Sequence, residues 1–324
     1  MEPIIDPVKK ELIKKELRGK ICRITNYGRR EIYVVNHLNA PHVVREIGRL
    51  REIAFRDSGG GTGKSVDLDE FDLSDNPFQQ LLVWDPQEEE IIGGYRFMKC
   101  VDLGVNEKGE LESPTTHLFT LGAPFLINFA PYTIELGRSF IQPTYQAAFD
   151  IRRGMFSLDN LWDGLGSLVV ENPKIKYFFG KMTMYPTFNI KARNYLFAFW
   201  SKFFPDSDKM VYSKFPVEAV DLKKYEKVFT GATYEENYKI LNKIIREHKE
   251  NIPPLVNAYM NLSPTMRVFG TAINKEFGNV EETGILITID DVYEKKKARH
   301  INILGRTIKL APKKERRKRK NDED

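Results

Sequence analysis

The chain has 324 residues, 41% of them hydrophobic and 12% aromatic, which is ample for the core of one large domain. Its formal charge is +5, it has no apolar run of about eighteen residues, and the N-terminal stretch lacks a signal-type apolar region, so a cytoplasmic protein without a membrane span is expected. Cys22 and Cys100 do not make a disulfide framework and are expected to be structural thiols, and the five histidines show no metal-ligand spacing, so no metal site is expected.

Residues 8–18 have helical composition, with Glu11 and Lys15 one turn apart, and residues 1–24 are read as a helical lead-in. A short strand is predicted at Ile32–Val35. After Pro41 the apolar positions Val43, Ile47, Leu50 and Ala54 keep helical spacing, with arginines on the rest of the surface. Residues 58–65 (SGGGTGKS) approach a phosphate-binding loop, but Ser58 replaces the first glycine and the preceding segment is a helix, so a flexible polar loop with the role of a lid near the site is expected. Asp67, Asp69, Glu70 and Asp72 read as a solvated acidic turn or as a cation-binding edge for an ammonium group.

The apolar runs Gln79–Trp84 and Ile91–Met98 form a predicted hairpin, the second carrying a glycine pair and then Arg96. Residues 101–130 lack a clear period and read as loop. The strand Tyr132–Phe140 holds Glu135, Gly137 and Arg138, and a bulge at Gly137 would bring Glu135 and Arg138 onto one face. Either they form a structural ion pair or they belong to a site, since isolated buried charge is costly.

A helix follows at residues 158–171, with Leu158, Leu161, Trp162, Leu165, Leu168 and Val169 as its stripe and Ser157 as its expected cap. Arg152, Arg153 and Gly154 precede that N-terminus and make an anion-receptive turn. With the strand Ile175–Met184 this completes a βαβ unit. Helices are predicted at 192–204 and 234–250, and a strand at 285–289. The basic run 311–324 reads as a disordered tail that could meet an anionic membrane surface, leaving 25–310 as the main domain. Nucleic acid would attract such a run equally and is not the favoured partner.

This order of elements resembles the GCN5-related N-acetyltransferase fold, an α+β mixed sheet flanked by helices, here with a C-terminal elaboration. Arg51, Phe55, Asp67, Asp69, Arg96, Glu135 and Arg138 resemble the ordered signature of the acyl-homoserine-lactone synthases. The stretches 50–56 (LREIAFR), 67–72 (DLDEFD), 135–140 (ELGRSF), 161–166 (LWDGLG) and 177–184 (YFFGKMTM) are more similar to the ornithine-lipid and glycine-lipid N-acyltransferases, often called hemolysin-like.

The resemblance implies transfer of a long-chain, 3-hydroxylated acyl group from acyl carrier protein to the amine of glycine or ornithine, in lipoamino acid synthesis. It implies no permanently bound cofactor; the acyl-phosphopantetheine thioester is a co-substrate. The wider superfamily's coenzyme A signature is absent between Gln142 and Ser157, which favours a carrier protein over coenzyme A. Glu135 is the candidate base. Arg138 and Arg96 would hold Glu135 ionised or grip the amino acid carboxylate, Arg51, Phe55, Asp67, Asp69 and Gly137 would bind substrate, with Asp67 and Asp69 recognising the amine or positioning the lid and strand amides near Gly137 receiving the oxyanion, and Arg152, Arg153 and Gly154 would receive the donor phosphate or its carrier. Two rival readings are an acyltransferase making a diffusible signal and a non-catalytic protein that binds membrane or nucleic acid through its tail.

Overall fold

The computed structural model of the protein describes residues 1–301. In chain order it contains α1 (Lys10–Leu17), β1 (Ile21–Ile24), β2 (Glu31–Val35), α2 (Pro41–Asp57), α3 (Glu70–Leu73), β3 (Gln79–Asp85), β4 (Glu90–Lys99), β5 (Phe119–Leu121) and α4 (Ala123–Asn128). There follow β6 (Thr133–Ile141), α5 (Ile151–Gly154), α6 (Ser157–Glu171), β7 (Tyr177–Met184), α7 (Ile190–Phe203), β8 (Val211–Ser213), α8 (Leu222–Glu226), α9 (Tyr234–Glu247), α10 (Pro254–Met260), β9 (Arg267–Asn274), β10 (Val280–Thr288) and α11 (Glu294–His300). The basic tail expected at 311–324 lies outside the described residues.

Eight strands form one sheet in the order β1-β2-β3-β4-β6-β7-β10-β9. Every neighbouring pair is antiparallel except β6–β7. That parallel pair arises because β6 connects to β7 through the crossover helix α6. The fold is thus the mixed sheet with flanking helices that the sequence implies, and β10 and β9 extend it beyond β7.

Helices cover both faces. On one, α2 buries Val43, Ile47, Leu50 and Ala54 against Tyr33, Leu82 and Trp84, with α1 packed on α2 through Ile13 and Leu17. On the other, α6 lays Leu161, Leu165 and Leu168 on Ile32, Leu81, Tyr95, Ile134 and Leu136. An aromatic-rich layer from α7, α9 and α10 continues this second face over Met182, Met184, Ile285 and Ile287. The segment expected to be plain loop, 101–130, contains β5 and α4. It pairs with β8 and packs Phe119 and Phe125 under Phe179, Phe269 and Leu286 on the first face, an arrangement set by contacts far apart in sequence. At the chain's far end α11 is tied to α6 by His300 Nδ1 and Asp163 Oδ1, 2.8 Å apart. Of the two thiols expected to be structural, Cys100 is buried but Cys22 is exposed.

Residues 58–65 are not a loose lid. Glu52, fully buried on α2, accepts from the Thr62 amide (3.1 Å), the Thr62 hydroxyl (2.7 Å), the Gly63 amide (2.8 Å) and Arg56 Nε (2.7 Å). The glycine-rich loop does cradle an anion, but the anion is a side chain of the protein. Burial pushes the Glu52 carboxyl up, and these donors outweigh burial and hold it below its usual range. The N-terminal segment also ties the loop down, through Glu2 N to Gly63 O (2.8 Å) and Ile5 N to Ser65 O (3.1 Å).

The glycine pair of β4 answers a close approach. A Cβ on Gly93 would stand 2.3 Å from the Phe140 carbonyl oxygen of β6. Gly93→Ala is therefore expected to push β4 and β6 apart and lower stability by about 1–3 kcal/mol, read as a shift in the urea midpoint at unchanged slope.

Candidate functional site

β6 and β7 pair over only three residues each, Thr133–Tyr177, Ile134–Phe178 and Glu135–Phe179. Beyond that vertex β6 runs on to Ile141 and β7 to Met184, each still paired on its outer edge, with β4 and β10 respectively. The facing edges part and open a cavity of about 490 Å³ that passes through the sheet. Its wall on the α2 side carries Phe55, Arg96, Glu135, Arg138, Lys181, Phe277 and Glu282; on the α6 side it carries Tyr95, Leu136, Leu158, Leu161, Phe178, Val256, Tyr259, Ile285 and Ile287. One side is charged and the other mostly apolar.

The expected bulge is present, one residue later than predicted. Gly94 pairs with Phe140 and Arg96 with Gly137, so Tyr95 faces two residues of β6, Arg138 and Ser139. Arg138 has φ +48°, in the left-handed region, whereas Gly137 is regular strand and a Cβ there would meet nothing within 4 Å. Gly137 therefore widens the cavity and does not make the turn. Arg138 is held in its unfavoured conformation by Asp67, whose Oδ2 lies 3.0 Å from its Nε, and by stacking over Phe277 at 4.4 Å.

Ile134 and Leu136 pack into the α6 side, so Glu135 between them points to the α2 side, as does Arg138. The two do not pair with each other. Glu135 is buried and its Oε1 accepts from the Thr115 amide at 3.2 Å. The expectation that Arg96 and Arg138 hold Glu135 ionised is thus corrected: their carboxylate partners are Asp67, Asp69 and Asp72.

Those aspartates are not a solvated turn. The 66–68 segment crosses α2 at Gly48, whose carbonyl accepts from the Asp67 amide at 3.1 Å and where a Cβ would stand 2.7 Å from Val66. This crossing brings Asp67 against Arg51, with Nε to Oδ2 at 3.2 Å. Asp69 caps α3 and takes Arg96 Nη1 at 2.6 Å. Asp72 lies between Arg51 Nη2 at 2.7 Å and Arg96 Nη1 at 3.0 Å, and Gln80 Nε2 donates to it at 2.8 Å. Arg51, Arg96 and Asp72 are all 0–1% exposed. Burial opposes the charge on Asp72, but the Arg51 and Arg96 guanidiniums overcome it and hold its carboxyl well below the usual range. Phe55, beside this network, meets Phe277 edge to face at 5.1 Å.

At the outer end of the cavity, Gly154 lies so close to the turn before it that a Cβ would stand 2.3 Å from the Ala147 amide nitrogen. Asp150, not Ser157, supplies the side-chain cap in this region: its Oδ1 accepts from the Arg152 and Arg153 amides, and Ser157 is already inside α6. Arg153 is spent on Glu88 at 2.9 Å and lies over Tyr145, while the Arg152 guanidinium has no partner among the described residues. Phe149, Ile151 and Met155 are exposed around it.

Three residues joined to Glu135 by a chain of contacts are absent from the sequence reading. Thr115 comes from the stretch read as loop, and Lys181 and Glu282 come from β7 and β10. Lys181 Nζ lies 3.2 Å from Thr115 Oγ1 and 3.4 Å from Glu282 Oε2. The signal for Lys181 was a lysine inside an aromatic strand. Among the described residues no group of three or more His, Cys, Asp or Glu is placed to hold a metal ion, and no helix is long and apolar enough to cross a membrane.

Residues 50–152 match the family model described as an acetyltransferase (GNAT) domain. Two curated relatives are each called glycine N(alpha)-acyltransferase. The one from Phocaeicola vulgatus is 51% identical over 303 residues, covering 93% of this chain and 93% of the relative. The one from Bacteroides thetaiotaomicron is 52% identical over 306 residues, covering 93% and 90%. Among solved structures, FeeM, an N-acyl amino acid synthase from uncultured soil microbes, overlays 81% of this chain and 93% of its own at 11% identity with a TM-score of 0.36, too loose for residue-level comparison.

The aspartate–arginine network sets an acid limit on stability. A carboxyl whose folded pKa lies below its unfolded value, about 4, contributes stability above that pH and loses it as the pH falls toward the folded value. Asp72→Asn leaves two buried guanidiniums short of a carboxylate and is expected to cost about 3–5 kcal/mol at pH 7 in urea unfolding. Below pH 4 the gap between the two proteins narrows, because only the wild type has that carboxylate to lose.

Proposed function

The chain belongs to the same family as the two glycine N(alpha)-acyltransferases and is an N-acyltransferase of GNAT-like fold, and from that premise we propose that it moves a long-chain, 3-hydroxylated acyl group from acyl carrier protein to glycine. The observation that carries this reading is the cavity through the parted β6–β7 pair, with Glu135 at its vertex. A thioester arm entering at the Gln146–Gly154 rim lies between the two strand edges, and backbone amides left without a cross-strand partner beyond the vertex are suited to the oxyanion. The acyl chain then extends into the apolar wall on the α6 side. There the Tyr95 and Tyr259 hydroxyls, 3.2 Å apart, and Ser139 are suited to a hydroxyl on the chain.

Glycine arrives as an ammonium, which has no lone pair to attack with. Glu135, buried on the α2 side, takes a proton from it. The freed amine attacks the thioester carbon, forming the C–N bond; the tetrahedral oxyanion collapses and the C–S bond breaks. The second amine proton passes to the leaving sulfur, so the products are the N-acyl amino acid, a free thiol and one net proton. Arg51 and Arg96, enclosed by aspartates, act as framework for the wall, and Arg138 presents its outer guanidinium edge to the slot.

Carrier protein is favoured over coenzyme A by the rim: the exposed Phe149, Ile151 and Met155, with Arg152, whose guanidinium has no partner among the described residues, lie in the chain next to Ala148 and Gly154 of the cavity lining and offer apolar and basic groups suited to an acidic protein surface. An anionic membrane surface is the proposed destination of the basic tail. Ornithine is the less favoured acceptor, and membership of this family sets aside the non-catalytic reading.

Purified protein given a long-chain 3-hydroxyacyl carrier-protein thioester and glycine is expected to yield the N-acyl glycine by mass spectrometry. Glu135→Gln should lower kcat by about 10²- to 10⁴-fold with an unchanged melting temperature. Absence of product from the wild type with any amino acid overturns the reading.

A further inference from the structure

Just beyond the vertex, on the β7–β10 wall of the slot, Lys181 and Glu282 form an ion pair with slack in it. Both line the cavity, and their side chains are 13% and 4% exposed. They stand 3.4 Å apart without a hydrogen bond, and Glu282 Oε2 has no donor among the described residues although it is enclosed. Glu282 Oε1 accepts from Asn274 Nδ2 at 3.3 Å. Lys181 is held as loosely, donating to Thr115 Oγ1 at 3.2 Å and to the Pro114 carbonyl at 3.5 Å.

A buried carboxylate oxygen without a donor is costly, and a tight Lys181–Glu282 contact would relieve it. Its persistence at a cavity wall is accounted for by a ligand that completes both groups. A zwitterion does so, since it carries a carboxylate for the ammonium and an ammonium for the carboxylate.

The position fits the chemistry. Thr115 joins the pair to the base, because its amide donates to Glu135 Oε1 while its hydroxyl accepts from Lys181. The alternative grips for an amino acid carboxylate are worse placed. Arg51 and Arg96 are enclosed by Asp67, Asp69 and Asp72, and Arg138 is already taken up by Asp67 at 3.0 Å and by stacking over Phe277. In an α-amino acid a single carbon separates amine from carboxylate, so both anchors must lie close to the reacting thioester carbon.

We propose that Lys181 and Glu282 form the acceptor subsite, with the Lys181 ammonium taking the carboxylate of an α-amino acid and the Glu282 carboxylate taking its ammonium, so that the amine is delivered beside Glu135. This rests on the acyl transfer to glycine proposed above, and it names residues for the acceptor that the base and the slot do not supply.

The two anchors leave different signatures when glycine is compared with glycinamide, which keeps the amine and replaces the carboxylate with a neutral amide. Wild type prefers glycine. Lys181→Met is expected to raise the KM for glycine roughly 10- to 100-fold, leave the KM for the acyl thioester unchanged and abolish the preference over glycinamide, and Lys181→Arg to recover part of it. Glu282→Gln, which keeps the shape of the side chain, should raise the KM for both amines and leave the preference intact. If Lys181→Met keeps the wild-type preference, or if Arg138→Met abolishes it while Lys181→Met does not, the assignment is wrong.

Calorimetric titration of glycine into protein without donor separates the two levels of the proposal. Glycine binding that is lost in Lys181→Met upholds the subsite even where the wild type forms no product, a result that overturns the acyl-transfer reading alone. No glycine binding to the wild type, with or without donor, overturns the subsite.

Discussion

The structure depends on two parallel strands that stop pairing. β6 and β7 share three residue pairs and then part, although both continue for several residues. Strand edges facing each other across a gap carry unpaired backbone donors and acceptors, an arrangement a sheet closes unless something holds it open. Here the outer edges do the holding: β4 keeps β6 and β10 keeps β7 along the full width of the slot. The bulge at Arg138–Ser139 then turns β6 away from its parallel neighbour, so the gap is a property of the sheet and needs no moving lid.

What fixes the bulge is charge. Arg138 reaches Asp67, Asp67 also meets Arg51 on α2, and Asp72 joins Arg51 to Arg96 on β4. Three arginines from three elements are thereby pinned by one short acidic segment, and that segment crosses α2 only because Gly48 has no side chain. Buried pairs of this kind add little net stability over an apolar replacement, but losing one partner leaves an uncompensated buried charge. The charged residues that most resemble a catalytic signature are, by this geometry, largely the frame of the cavity, and Glu135 stands apart from them, with the Thr115 amide as its one backbone donor among the described residues.

Sequence reading found the elements whose evidence is local and missed what depends on distant partners. The stripes of α2 and α6, the β3–β4 hairpin and the βαβ unit are periodic and were legible. The bulge was placed on Gly137 because glycine tolerates unusual backbone, yet the residue that turns is Arg138, stabilised by Asp67 and Phe277, which lie far from it in the chain. Residues 58–65 looked like a phosphate loop for a sound reason, their amides do converge on an anion. No local pattern shows that Glu52, on the preceding helix, already fills it. Thr115 lay in a stretch without period, and Glu282 lay just outside the strand predicted at 285–289, so neither offered a signal.

The polarity of the cavity gives the proposed reaction its direction. The slot joins a charged wall on the α2 side to an apolar wall on the α6 side, and the sheet itself separates them everywhere except at the gap. A lipid chain gains by entering one side and an ammonium or carboxylate by entering the other, so neither substrate competes for the other's ground. They can meet only where the strands part, beside Glu135. Filling the apolar side also removes water from the thioester, which disfavours hydrolysis at the same point where the deprotonated amine has its shortest path.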